Sequence, residues 1–470
     1  MGIRKSLLLA TAGLCLVFAF QHTTAREIFE RWLEAFNSGD PDRMAAFLRR
    51  HDPKALERRD ALLRTREASG GFDLFRTESA MPAAFVGIVK ERQGDEYARL
   101  EMVLEPDGSQ RIRKMLIHVI PPPPGAPRPP RLNEGQALAV LKKELRKRCS
   151  SDQFSGALLV ARHGKILFAA ACGEADREKR IPNRLPTRFR IGSMNKMFTA
   201  VAVAQLMQAG KVRASDVLGK YLPEYPNREV AQKVTIHHLL THTGGTGDIF
   251  GHEFQARRLQ LRELADYLKL YGNPAPAFEP GSRWSYSNYG YVLLGLVIEA
   301  VTGESYYDYV RRKIFQPAGM HATDSLPEDE AVPDRATGYT RAAGGTWKTN
   351  SDTLPYRGTS AGGGYSTVGD LLRFAEALLH HKLLDPKYTR LVTSGKVQTP
   401  DGDQYGYGFG EGIEDGARWL GHGGGAPGMN GTLRIFPDSG YVIAALANMD
   451  PPAAVRLVEF ITRRLPVRQS

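Results

Sequence analysis

Ser193 and Lys196 stand three residues apart at the start of an apolar run, Arg190 to Val212, reading RIGSMNKMFTAVAVAQLMQAGKV. Residues at i and i+3 share one helix face, so a hydroxyl and an amine at this spacing can touch. Met197, Ala200, Val201, Ala204, Leu206 and Met207 follow with almost no charge before Gly210, which predicts a buried helix closed by a glycine. Ser193 then sits at the helix N-terminus. Unpaired N–H groups and a partial positive charge there favour an oxyanion beside the serine and a lowered proton affinity at the lysine. A serine with an adjacent base is a nucleophile candidate. The pair alone is a coincidence that composition permits; its weight comes from Tyr286-Ser287-Asn288 and His422-Gly423-Gly424, which follow it in that order.

Two other patterns compete for the chemistry. Gly358-Thr359-Ser360-Ala361-Gly362 matches a G-x-S-x-G nucleophile elbow. An elbow needs a buried strand before it and a helix directly after, whereas Pro355 precedes this one and Gly363-Gly364 delay the next helix. His238 and His242 have the i, i+4 spacing of a zinc helix, but position 239 is Leu rather than Glu and no third ligand is evident. Neither a metal nor a cofactor is expected, and no nucleotide loop or internal repeat is visible.

The elements that must position the first set lie on both sides of it. NEGQ at Asn133 predicts a capped helix containing Leu138, Leu141 and Leu145. GALLVARHGKILFAAACG reads as a hairpin turning at His163-Gly164. TLRIFPDSGYVIAALAN repeats that form around Asp438-Ser439-Gly440, and an amphipathic helix follows from Ala453 to Leu465. Strands at both ends with helices between them predict one antiparallel sheet built from the two ends, a helical region inserted between, and a cleft at their junction.

Upstream, Arg4 and Lys5, the apolar stretch Leu7 to Phe20 and Thr23-Thr24-Ala25 read as a secretory signal over residues 1–25, with the cut after Ala25. The apolar stretch is short of the about 20 residues a bilayer span needs, so no stable span is expected after cleavage and the address is extracytoplasmic, periplasmic or secreted. Export leaves Cys149 and Cys172 in an oxidising compartment, with their pairing open. Residues 26–120 read as a small α+β unit: helices in REIFERWLEAFNSGD and PDRMAAFLRR, then strands in AAFVGIVKER, EYARLEMVLE and IRKMLIHVI. Residues 121–132, largely PPPPGAPRPPR, form an extended semi-rigid spacer, and a second domain spans 133–470. The net charge of +12 is interleaved with acidic residues and forms no basic stripe, which speaks against nucleic acid and leaves a small-molecule or peptide substrate as the partner. No oligomeric state is specified.

From about Asn133 to its end the chain resembles the serine β-lactamase and penicillin-binding-protein superfamily, in its class C-like branch of esterases, D-peptidases and β-lactamases. The resemblance rests on SMNK, YSN and HGG, with LLTHTGG, PGSRWSYSNYGYVLLG, IFQPAGM and AGGGYSTVGDLLRFA around them. It implies an α+β fold of β-lactamase/transpeptidase type and an acyl-enzyme on Ser193. Lys196 and Tyr286 would be the proton-transfer partners, with the choice of base between them open. It further implies that Asn288 orients Lys196 and donates to the substrate carbonyl, that Gly424 lets the edge strand approach the substrate, and that Ser193 and Gly425 N–H groups form the oxyanion hole. His422 stands where the family most often has lysine. A histidine that is mostly neutral at pH 7 favours esters over carboxylate-bearing β-lactams, with β-lactam turnover improving below about pH 6.5. The alternatives are a β-lactamase or D,D-carboxypeptidase, and a binding module that recognises peptides or penicillin without turnover. The N-terminal unit resembles the cystatin-like cone of nuclear-transport-factor-like proteins, a form that can bind small ligands.

Overall fold

A computed structural model of the chain describes residues 24–342, 345–400 and 402–468. Contacts divide the chain into two compact units that meet at Ala126/Pro127, inside the proline-rich stretch. The expected signal segment lies outside the described residues except for Thr24 and Ala25. Those two belong to the first unit: Thr24 forms a capping box with Glu27, and the Ala25 N–H donates to the Pro82 carbonyl.

The first unit has helices Ala25–Ser38, Pro41–His51 and Arg59–Ser69, then an antiparallel sheet of β1 (Phe72–Met81), β2 (Ala84–Glu91), β3 (Tyr97–Leu104) and β4 (Ile112–Ile120) in sequential order. The third helix and β1 go beyond the sequence expectation. RDALLRTREAS is too polar to show an apolar stripe, and β1 is interrupted twice by register shifts that break its period of two. Its interior is filled: Phe29 stacks on Phe85, Trp32 on Phe36 and Phe36 on Phe72, at centroid distances of 4.4, 5.0 and 4.9 Å.

The second unit is organised by an eight-stranded antiparallel sheet. Its strands are β5 (Gly156–Arg162), β6 (Lys165–Cys172), β7 (Val397–Gln398), β8 (Gln404–Tyr405), β9 (Gly410–Glu414), β10 (Ala417–Ala426), β11 (Met429–Phe436) and β12 (Tyr441–Ala447), in the order β7-β8-β9-β10-β11-β12-β5-β6. The two ends of the unit meet where β12 pairs with β5. His163 and Gly164, both with positive φ, make the two-residue turn between β5 and β6. The central strands are apolar on both faces. Ala157, Leu159, Val442, Ala444 and Leu446 face a core shared with the Ser193 helix, while Leu158, Val160, Ile443 and Ala445 face helices Glu134–Ser150 and Ala453–Thr462. The sheet is thus the middle of three layers. A disulfide joins Cys149, near the end of the first of those helices, to Cys172 at the end of edge strand β6.

The spacer's second half does not stand free of this unit. Arg128 and Arg131 both bond Asp415 at 2.9 Å, and the Leu132 N–H reaches the Arg464 carbonyl. Two arginines among the prolines supply donors that proline lacks.

Candidate active site

The chain enters the site from β-like residues Phe189–Arg190, makes a single 3-10 turn over Gly192–Met194, and continues as helix Asn195–Gln208. Gly210 follows in the left-handed region, the closure expected from sequence. The helix is buried nearly all round, so its polar side chains must find partners inside the protein. They find them in one loop. Asn195 donates to the Thr359 carbonyl, Thr199 to the Ser360 carbonyl and Lys196 to the Ala361 carbonyl. The G-x-S-x-G segment is therefore a tight turn whose carbonyls face the Ser193 helix, and Ser360 is buried inside it with no access to the cleft.

Lys196 is fully buried. Its Nζ lies 2.7 Å from Asn288 Oδ1, 2.6 Å from the Ala361 carbonyl and 3.3 Å from Ser193 Oγ. The first two partners can only accept. A neutral amine has two N–H bonds and one lone pair, so both hydrogens are taken and the lone pair is left facing the serine hydroxyl. Burial lowers the lysine to about 7, with the Asp248 carboxylate opposing the shift. Tyr286 moves the other way: burial raises its phenol above the ordinary value, against a hydrogen bond with Ser193. Near neutrality the amine can take a proton and the phenol keeps its own, which separates the two groups the sequence left open. The Lys196 ammonium position also lies over the Tyr286 ring, 4.7 Å from its centroid.

Asn288 opens helix Asn288–Thr302 behind the Ser287 cap. Its Oδ1 faces Lys196 as expected, but its Nδ2 donates to both oxygens of Asp248, at 2.9 and 3.2 Å. Asn288 also lines the cavity beside Ser193, so its amide stands between the acid of the Gly244–Gly251 loop and the space a substrate carbonyl would enter. Strand β10 runs past the serine turn. A Cβ on Gly424 would fall 1.9 Å from the Ile191 carbonyl oxygen and 3.0 Å from the Ser193 nitrogen. Gly424 therefore permits close contact between the strand and the turn. The Gly425 nitrogen sits 2.9 Å from where a Cβ on Gly192 would be, which brings Gly425 and Ser193 to one corner of the cleft.

His422 departs most from expectation. Its Nδ1–H donates to the Gly423 carbonyl and its Nε2 accepts from the Tyr405 hydroxyl at 3.0 Å, so neither nitrogen is free for a ligand. Burial and the nearby Lys196 lower it to about 4. A ring so lowered stays neutral at pH 6.5, which runs against the expected gain of a charged imidazole just below that pH. The two histidines at zinc-helix spacing have separate partners: His242 lies beyond helix Ile236–Leu240, at positive φ, with Nδ1 accepting the Ser287 N–H at 3.1 Å, while His238 Nδ1 accepts from the Thr235 N–H.

A cavity of about 390 Å³ opens beside Ser193. Ile249, Phe250, Phe254, Tyr267, Pro355 and Met429 give it apolar walls, and no charged side chain is among its lining residues. Reasoning from sequence missed Asp248, the Ala361 carbonyl, Asn195 and Tyr405. Only Asp248 had a signal there, a lone acid in the glycine-rich segment after LLTHTGG.

Residues 141–466 match the protein family described as Beta-lactamase. Penicillin-binding protein 4* of Bacillus subtilis is 31% identical over 319 residues, covering 63% of this chain and 69% of that protein. Esterase EstB of Burkholderia gladioli is 35% identical over 212 residues, covering 42% of this chain and 53% of the esterase. Among solved structures, a penicillin-binding protein from Bacillus halodurans superposes with a TM-score of 0.63 at 36% identity, covering 67% of this chain and 98% of that one.

Proposed function

We propose, from the premise that this chain belongs to the β-lactamase family and is a serine hydrolase, that it is exported and cleaves uncharged short-chain esters, or amides of D-amino-acid type, through an acyl-enzyme on Ser193. Neutral Lys196 takes the serine proton as Oγ attacks the carbonyl carbon. The oxyanion forms at the Ser193 and Gly425 N–H groups, the Tyr286 phenol passes a proton to the leaving group, and the Lys196 ammonium returns one to the phenolate, which leaves both groups as they began. Water then repeats the sequence on the acyl-enzyme. The observation that carries this reading is the Lys196 hydrogen-bond set, which leaves one lone pair and directs it at Ser193. The ester preference is supported by the uncharged cavity and by a His422 whose ring nitrogens are both occupied. A neutral His422 offers a substrate carboxylate no charge-assisted hydrogen bond, a loss of about 1.5–3 kcal/mol. Export is supported by the N-terminal charge and apolar pattern and by the disulfide.

A fluorophosphonate should add one label, on the peptide containing Ser193, and aryl acetates should be hydrolysed faster than a chromogenic cephalosporin by a wide margin. Labelling that survives Ser193→Ala, or efficient cephalosporin turnover with negligible ester hydrolysis, refutes the reading.

A further inference from the structure

We infer that Asp248 is a positioning residue for acyl transfer: its carboxylate fixes which end of the Asn288 amide faces Lys196, and so keeps the lysine lone pair aimed at Ser193. The inference rests on the reading of Lys196 as the base. A terminal amide has one accepting and one donating end, and half a turn exchanges them. In the observed orientation Asn288 Oδ1 accepts from Lys196 and Nδ2 donates to Asp248. The turned orientation would set Oδ1 against the carboxylate, which can only accept. It would also point an N–H of Asn288 at Lys196, where the sole acceptor is the lone pair. That pair would be captured by Asn288, and an N–H would face Ser193 in its place. The serine would then have no base, although every residue of the site would still be present. Asp248 makes this arrangement unfavourable.

The loop carrying Asp248 is fastened where this role requires. Gly245 and Gly247 hold it in the left-handed region, with φ of +67° and +73°. Ser287 donates its hydroxyl to the Gly247 carbonyl and lies 3.0 Å from Thr246 Oγ1. Asp248 Oδ1 also accepts the Ile249 N–H at 2.7 Å, which fixes the carboxylate's direction. Ser287, the middle residue of YSN, thus ties the acid's loop to the residue that the acid orients. Asp248 also favours the charged form of Lys196. The other groups facing that amine are Ser193, the rings of Tyr286 and Tyr291, and His242 and His422, both of which burial holds neutral. Asp248 is the one anion among them.

The test is the pH dependence of aryl-ester hydrolysis by full-length Asp248→Asn and Asp248→Ala proteins, with melting temperature as the folding control. Asp248→Ala, which frees the Asn288 amide to turn, should lose about tenfold to hundredfold in kcat with KM changed less than about twofold. Asp248→Asn keeps an acceptor but loses the charge. It should lose less, and its acidic limb should move to lower pH. A merely structural defect would leave that limb in place. Wild-type kcat and an unmoved limb in both variants overturn the inference, as does a loss confined to KM. If Asp248→Ala does not fold, kcat of Asp248→Asn on the plateau above the limb decides: a loss supports the inference and a wild-type value overturns it. Lys196→Arg separates the two readings. If it remains active, the base assignment falls; if it is inactive while the Asp248 variants behave as wild type, only the inference about Asp248 falls.

Discussion

At Lys196 a single proton decides whether Ser193 can be activated. The amine sits in a fully buried position and is lowered to about 7, so it is deprotonated above that pH and charged below it. A base works only when deprotonated, so kcat/KM should rise with pH through an acidic limb near 7 and fall about tenfold per unit below it. His422, lowered to about 4 by burial and by Lys196, lies too far from neutrality to supply this limb. Initial rates of aryl-ester hydrolysis across the neutral range check this; a flat profile from pH 5 to about 8 would exclude Lys196 as the titrating base. Lys196→Arg should be nearly inactive throughout, since a guanidinium keeps its proton.

At the scale of elements, the oxyanion corner depends on how closely one strand passes one turn. Strand β10 meets the Gly192–Met194 turn backbone to backbone, and its far side is held by Asn430. That side chain donates to the Gly424 carbonyl at 3.0 Å and accepts from the Ala454 N–H at 2.7 Å. One buried amide therefore ties β10 to the start of helix Ala453–Thr462. With the Ile191 carbonyl oxygen 1.9 Å from where it would stand, a methyl at position 424 has nowhere to go. Gly424→Ala should cost about 1–3 kcal/mol of stability, as overpacking does. It should lower kcat far more than KM, because the displaced strand carries Gly425. Melting temperature and steady-state kinetics of that variant test it; unchanged kcat would show that the strand can yield without disturbing the site.

At the scale of the molecule, the second unit has its own sheet, its own two cores and the whole candidate site. The segment Pro127–Ser470 expressed alone should fold and be labelled by a fluorophosphonate at the full-length rate. Starting instead at Leu132 removes Arg128 and Arg131 and leaves Asp415 without these partners. A partly exposed ion pair contributes about 1 kcal/mol or less, so the shorter form should melt no more than about 4 °C lower. Calorimetry of the two forms measures the difference. Loss of labelling from Pro127–Ser470 would make the first unit part of the working structure.

Much of this was legible in the residues themselves. Continuous apolar runs in GALLVAR and YVIAALA, the unbroken apolar helix after Ser193 and the cap at Asn133 are local patterns, readable before any tertiary contact is known. The three short motifs singled out one candidate nucleophile and its neighbours because their order and flanks left few alternatives. Sequence could not decide which acceptors surround Lys196, which end of the Asn288 amide meets it, or that His422 spends both nitrogens on Tyr405 and Gly423. Those outcomes belong to contacts between segments far apart in the chain, such as Lys196 with Ala361 or Asn288 with Asp248. Protonation there follows from burial and from the count of donors against acceptors, and both exist only once the segments have packed.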